Sequence, residues 1–408
     1  MAQAYIIETK QGNLKVIERL HSSNARTTVE KADVLAAVEK KKVLLHIHGG
    51  LVPRDAAIDS AHRLSQTHSI LGAHYLADRA DVQLYLVWPA GVLDALDNIL
   101  KDSVFGKIVE AVKGWVDKPE DVAGSRSGKS ALVKGIRSGA LPRVEQALTQ
   151  HYRITLRDIT AEERRTTALV QSAPEETDET DETGKRFISV LTITKIAVQA
   201  TLAIIQREDM HPDSYELEAM VREEVLSASG FGDVGRLIWR QLKDTATEHA
   251  TNDFLTFLQK VYDECSALTL VGHSTGANLI TALIPKLTVP GLTEKKLRVI
   301  FLAPAVTVQA FTDQIGAFEK HLQSPLRIYT MAHDVEIQDT SVPFYKGSLL
   351  QLVNFVFEDP RPGRILGLAH YALSKKANFG SQVEFHTDHK CITHGGFHQS
   401  QALLNRVL

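Results

Sequence analysis

The segment Gly272-His273-Ser274-Thr275-Gly276 constrains this chain more than any other part of its sequence. The apolar run A-L-T-L-V at 267–271 leads straight into it, and a helical pattern over 277–287 begins directly after it. A G-x-S-x-G segment in that context must reverse from strand to helix within a single turn. Ser274 then stands at the apex of an elbow in a strained backbone conformation. Gly272 and Gly276 carry no Cβ, so neighbouring chain can approach the bend closely. The turn lifts the Ser274 hydroxyl above the sheet edge. It also aims the Thr275 backbone N–H and the start of the helix at any negative charge that develops there.

A second turn complements the first. His46-Ile47-His48-Gly49-Gly50-Leu51 closes the apolar run V-L-L-H-I-H at 43–48. A glycine pair lets backbone amides face a ligand oxygen with no side chain in the way. Stabilising an oxyanion takes two donors, of which Thr275 supplies one; Gly50 or Leu51 is the natural source of the other. His46 and His48 read as packing or loop-bracing residues.

The rest of the chain alternates strand and helix around these turns. Two β-rich runs within 4–18 flank Gln11-Gly12-Asn13 and predict a hairpin. A helix is expected over 54–69 with Ala57, Ile58, Ala61 and Leu64 on one face, a strand over 82–88, and a helix over 92–115. After 250 the pattern reads helix through Phe254, Leu258 and Val261, strands at 267–271, 297–303, 326–331 and 382–386, a helix over 308–322 and a closing helix at 397–406. Such alternation implies crossover connections and a mainly parallel sheet flanked by helices. Between these halves the character changes. Residues 117–248 read as an inserted, mostly helical segment, so the organisation expected is 1–116, 117–248 and 249–408. Its stretch 174–183 holds six acidic residues in ten and reads as a solvated loop. Its most apolar run, 187–206, is long enough to span a bilayer, but Lys195 sits near the middle. A buried or covering helix is expected, with membrane-surface contact as the other reading.

Composition closes several classes. The chain has 408 residues, with 46 Lys+Arg against 49 Asp+Glu, a formal net charge of −3. That balance offers no basic footprint for nucleic acid. The two cysteines, Cys265 and Cys391, exclude a disulfide framework and fit a reducing compartment. The first residues, M-A-Q-A-Y-I-I, lack the basic and apolar regions of a secretory signal, so a cytoplasmic location is expected.

The ordered set H-G-G, G-H-S-T-G, an acid after a strand and a late histidine resembles the α/β-hydrolase superfamily, closest in style to its lipase and esterase branch. The resemblance covers roughly 1–115 and 250–408, leaving 117–248 as an inserted helical cap. It implies a triad in the chain order serine, acid, histidine. Ser274 is then the nucleophile. The acid follows the strand L-R-I-Y-T-M, where Asp334 stands first, Asp339 second and Glu336 third. The base follows the last strand, where His394, in T-H-G-G-F, leads over His389 and His398, and His386 lies at the strand end. The implied activity is cleavage of a small-molecule or lipid ester through an acyl-serine. No cofactor is required. An amidase, peptidase or thioesterase would use the same machinery, and a non-catalytic scaffold is the reading from another class.

Three further patterns carry less. The group His386, Asp388, His389, His394 and His398 has permissive spacing for a metal, but the elbow already accounts for one histidine, so no metal site is assigned. Gly124-Ser125-Arg126-Ser127-Gly128-Lys129-Ser130 echoes a phosphate loop, yet Ala123 replaces the first glycine and no strand precedes it. Cys391 reads as a structural thiol. Part of 340–380, L-L-Q-L-V-N-F-V-F, is expected to line or cover the pocket.

Overall fold

A computed structural model describes residues 3–21, 25–50, 52–71, 80–88, 109, 112, 190–206, 214–228, 231–288, 296–339, 342, 345, 347–375, 379, 381–388, 391 and 393–398. The expected helix at 92–115 falls outside these residues except for Val109 and Val112. The acidic stretch 174–183, the glycine-serine segment 124–130, Leu51, His389 and most of the closing helix also lie outside them.

The chain belongs to the α/β class. Nine strands form one sheet: β1 (Gln3–Lys10), β2 (Asn13–Leu20), β3 (Arg26–Thr28), β4 (Lys42–Ile47), β5 (Val82–Val87), β6 (Ala267–His273), β7 (Leu297–Leu302), β8 (Leu326–Met331) and β9 (Val383–Asp388). Their spatial order is β3-β2-β1-β5-β4-β6-β7-β8-β9. Every pairing from β1 through β5, β4, β6, β7, β8 to β9 is parallel, while β1–β2 and β2–β3 are antiparallel. The apolar runs therefore become central strands. All of β5 is buried, as is β4 beyond its first residue, as expected for strands covered on both faces.

The β1–β2 hairpin closes where the turn chemistry predicts it. Gln11 (φ 52°) and Gly12 (φ 75°) both take the left-handed conformation that matches the twist of a two-residue hairpin loop. A Cβ at Gly12 would stand 2.6 Å from the Glu248 carbonyl oxygen, so the position needs glycine for space as well.

The helix Asp253–Glu264 shows how sequence period becomes core. Phe254, Phe257, Leu258, Val261 and Tyr262 share its buried face. They pack into the same apolar cluster as Leu268 and Leu270 of β6. Each such side chain stabilises the fold by roughly 1.5–3 kcal/mol through apolar burial. The expected helix at 308–322 is two helices, Val308–Thr312 and Ile315–His321, with Asp313 ending the first and Gln314 capping the second. The elements not anticipated include the exposed three-residue β3 and the helices Lys31–Val38, His333–Glu336 and Ala369–Lys375.

Two compact units are present. One comprises 1–97, 235–342 and 347–408; the other comprises 98–234 and 343–346. The sequence-based limits of the insertion, 117 and 248, differ from these at both ends. At the second end, 235–249 of the helix Phe231–His249 belongs with the sheet. Within the second unit the helix Val190–Gln206 packs against the helix Ser214–Ala228. Ile196, Ala197, Val198, Ala200 and Ile204 are buried there and Lys195 is exposed. Among the described residues, no helix is long and apolar enough to cross a membrane.

Candidate active site

The C-terminal edges of β4, β6 and β8 gather the polar residues singled out by the sequence. Ser274 follows β6 with φ 53°, a left-handed conformation that is uncommon and costly for a residue with a side chain. Its backbone is held on three sides. Its N–H donates to the Leu302 carbonyl at 2.9 Å, and its carbonyl accepts from Ala277 at 3.1 Å and Ala305 at 3.0 Å. The helix Gly276–Leu283 starts immediately afterwards, with Thr275 at its N-terminal boundary. The flanking glycines are required by contact. A Cβ at Gly276 would collide with the Ile47 carbonyl of β4, and one at Gly272 would stand 2.8 Å from Ile280 Cδ1 and 2.9 Å from the Ala277 nitrogen.

The glycine pair after β4 lies against this elbow. A Cβ on Gly49 would be 3.1 Å from Ser274 Cβ and 3.5 Å from Ser274 Oγ. The Gly50 N–H donates to Thr275 Oγ1, which ties the two turns together. That amide is therefore engaged within the protein. The Thr275 N–H has no backbone acceptor among the described residues. A Cβ on Gly50 would also meet Leu242 Cδ2 at 2.9 Å, so the helix Phe231–His249 borders the loop.

His48 braces the same loop. One ring nitrogen lies 2.6 Å from the Gly49 carbonyl, and the other is 3.4 Å from the Trp88 N–H. Trp88 Nε1 donates in turn to the His48 carbonyl at 3.1 Å. Burial pushes His48 down to about 4, so it is a neutral strut at neutral pH. His46 is buried with its ring 6.0 Å from that of Tyr85.

His394 begins a short 3-10 turn, His394–His398, beyond β9. His273 Nε2 lies 3.0 Å from the His394 carbonyl, and the two rings are 5.1 Å apart. His394 is therefore brought to the elbow through the residue adjoining Ser274. Ser274 and His394 are each only 5% exposed. Neither His394 ring nitrogen has a hydrogen-bond partner among the described residues. Burial pushes His394 down to about 4 and, with the neighbouring His394 charge adding to burial, His273 down to about 3. Both imidazoles are neutral at neutral pH.

The acids after β8 separate by burial. Asp334 is exposed on the short helix His333–Glu336. Asp339 is fully buried, and its Oδ2 accepts the His394 backbone N–H at 2.7 Å. The carboxylate that meets the His394 backbone is thus Asp339, while Asp334, which the sequence places first, is exposed. The reason is that the turn after β8 buries its far end, while Asp334 sits on its solvent side. Glu336 is buried too, but its Oε1 accepts from Ser348 Oγ at 2.7 Å.

The other late histidines go elsewhere. His386 is exposed, stacked on Tyr329 at 4.7 Å, with Nε2 3.7 Å from Glu384. Of His398, only its backbone is described, at the end of the 3-10 turn. Cys391 is buried with its Sγ 3.3 Å from the Thr393 carbonyl. No group of three or more His, Cys, Asp or Glu with metal-binding geometry occurs among the described residues.

Two participants escaped the sequence. Trp88 had a signal only in its place at a strand end before Pro89. Ser348 had a clearer one: Ser348-Leu349-Leu350-Gln351 is a capping-box pattern, and the reciprocal hydrogen bonds are present. The expected pocket-lining run folds as the helix Leu349–Leu352 followed by a π-helical turn, Val353–Phe357, with most of its side chains buried.

Searches against sequence families, characterised proteins and solved structures find no match for this chain.

Proposed function

We propose that this protein is a serine hydrolase of the α/β-hydrolase type, acting on a carboxylic ester through an acyl-Ser274 intermediate. The observation that supports the reading is the left-handed Ser274 at a strand-to-helix turn, with the buried His394 ring 5.1 Å from the ring of the adjoining His273. Backbone strain of that kind persists only where the surrounding structure enforces it, and it concentrates at functional sites.

The chemistry follows from the groups at hand. Ser274 Oγ attacks the ester carbonyl while His394 accepts its proton. The same imidazole then protonates the departing alkoxide and afterwards activates water to release the acid. Asp339 takes the acid role in place of Asp334. It holds the His394 backbone and supplies the negative charge that stabilises an imidazolium. The Thr275 N–H, at the start of the helix Gly276–Leu283, faces the developing oxyanion. The Gly50 N–H, the other donor expected from the sequence, is already given to Thr275 Oγ1. The hydrogen bond between nucleophile and base forms in the substrate complex, as apo sites commonly hold such pairs loosely.

A fluorophosphonate probe tests this directly. The native chain should be labelled covalently, and Ser274→Ala should abolish labelling with the thermal transition unchanged. Folded native protein that stays unlabelled would remove the reading and leave a binding scaffold in its place. If labelling occurs, p-nitrophenyl esters, amides and thioesters of graded acyl length then sort the substrate class.

A further inference from the structure

The turn after β8 holds a second buried carboxyl that the mechanism above leaves unused. Glu336 is 1% exposed and Asp339 0%. They share one turn of backbone, since the Asp339 N–H donates to the Glu336 carbonyl at 3.2 Å. Glu336 Oε1 receives the Ser348 hydroxyl at 2.7 Å, whereas its Oε2 has no hydrogen-bond partner among the described residues. Asp339 Oδ2 receives the His394 backbone N–H at 2.7 Å.

Two ionised carboxylates buried on one turn repel each other, and each loses its hydration. Among the described residues, the charge acting on Glu336 is Asp339 from its own turn. The segment that returns over it presents the neutral Ser348 hydroxyl. One proton therefore belongs on the pair. It goes to Glu336, which lacks a backbone donor and whose Oε2 has no partner among the described residues.

We propose that Glu336 is a positioning residue: anchored by Ser348 as a neutral acid, it leaves Asp339 alone to carry the charge that holds the His394 turn, and its ionisation loosens that hold. Burial pushes the Glu336 carboxyl up to about 8, the Ser348 hydrogen bond opposes that rise and the Asp339 charge adds to it. The stability this group contributes is thus complete below its ordinary value near 4.5 and is lost as pH rises through about 8. The consequence for catalysis rests on the hydrolase reading; the consequence for the His394 turn does not.

The experiment follows the amide-exchange protection factor of the 391–397 segment between pH 6.5 and 9.5 in native protein and in Glu336→Gln, which mimics the neutral acid. Native protein should lose protection by about tenfold per pH unit up to about 8 and level off above it, and the variant should stay flat. Ser348→Ala removes the hydrogen bond that favours the carboxylate, so the loss should move to higher pH. That variant also deletes a helix cap, which lowers stability at every pH without shifting the titration. Superimposable native and Glu336→Gln profiles would overturn the proposal, as would a Ser348→Ala titration that does not move. Fluorophosphonate labelling rates are read on the same samples. A matching alkaline limb, absent from Glu336→Gln, extends the role to catalysis. No labelling at any pH beside the expected exchange behaviour would sink the hydrolase and leave the carboxyl pair standing.

Discussion

The turn after β6 and the turn after β8 each bring a reactive side chain to the sheet edge, and they hold it by different means. The first relies on shape. Ser274 is fixed by a left-handed backbone, three backbone hydrogen bonds and two glycines with no room for a Cβ. The second relies on charge. Asp339 and Glu336 are closed off from water, one held by a backbone N–H and the other by a hydroxyl. Side-chain volume should therefore break the first turn, whereas protonation and charge should break the second.

The largest effect is expected at Gly276. Gly276→Val places branched carbon against the Ile47 carbonyl, where only backbone movement of β4 or the elbow can make room. A destabilisation of about 3 kcal/mol or more is expected, read from the urea midpoint. A loss below about 1 kcal/mol would mean that the elbow is not held by shape.

Next comes the contrast between two acids five residues apart. Asp339→Asn keeps the volume and removes the charge behind His394. Labelling and ester turnover should fall by roughly 10³–10⁴-fold. Asp334→Asn, on the exposed side of the same turn, should stay within about twofold, as surface changes usually do. Equal losses, or a larger loss at Asp334, would return the acid role to Asp334.

The most gradual effect is on stability in acid. His48, His273 and His394 are depressed by burial from 6.5 to about 4, 3 and 4. The unfolded chain therefore binds more protons at these sites over that interval. Their contribution is present above 6.5 and is lost as pH falls toward 4. A denaturant midpoint that declines through this window checks the sign, and replacing His48 with Gln should flatten the decline. A midpoint independent of pH from 7 to 4 would show that these rings are not held neutral by burial.

Much of the sheet was legible because its signals are local. The runs at 43–48, 82–88 and 267–271 are apolar over strand lengths and end in glycine or proline, and they became β4, β5 and β6. Three exposed residues, Arg26–Thr28, carry no such pattern, so β3 was not legible. It is a strand only because β2 offers its open edge. The break between Thr312 and Ile315 was hidden for a related reason: both short helices keep an apolar face, with Phe311 and Phe318 packed 5.6 Å apart across the break.

Within the site, the elbow and the glycine pair were visible because a tight turn needs particular residues at fixed positions along the chain. Which carboxylate meets the His394 backbone was not, because Asp334, Glu336 and Asp339 lie within a turn and a half of one another and share the same local chemistry. Only the packing of the chain between β8 and β9 decides which carboxylate meets His394, which one meets Ser348 and which faces water. Backbone geometry is set by neighbours in sequence. Ionisation is set by neighbours in space, and those exist only once the sheet has closed over them.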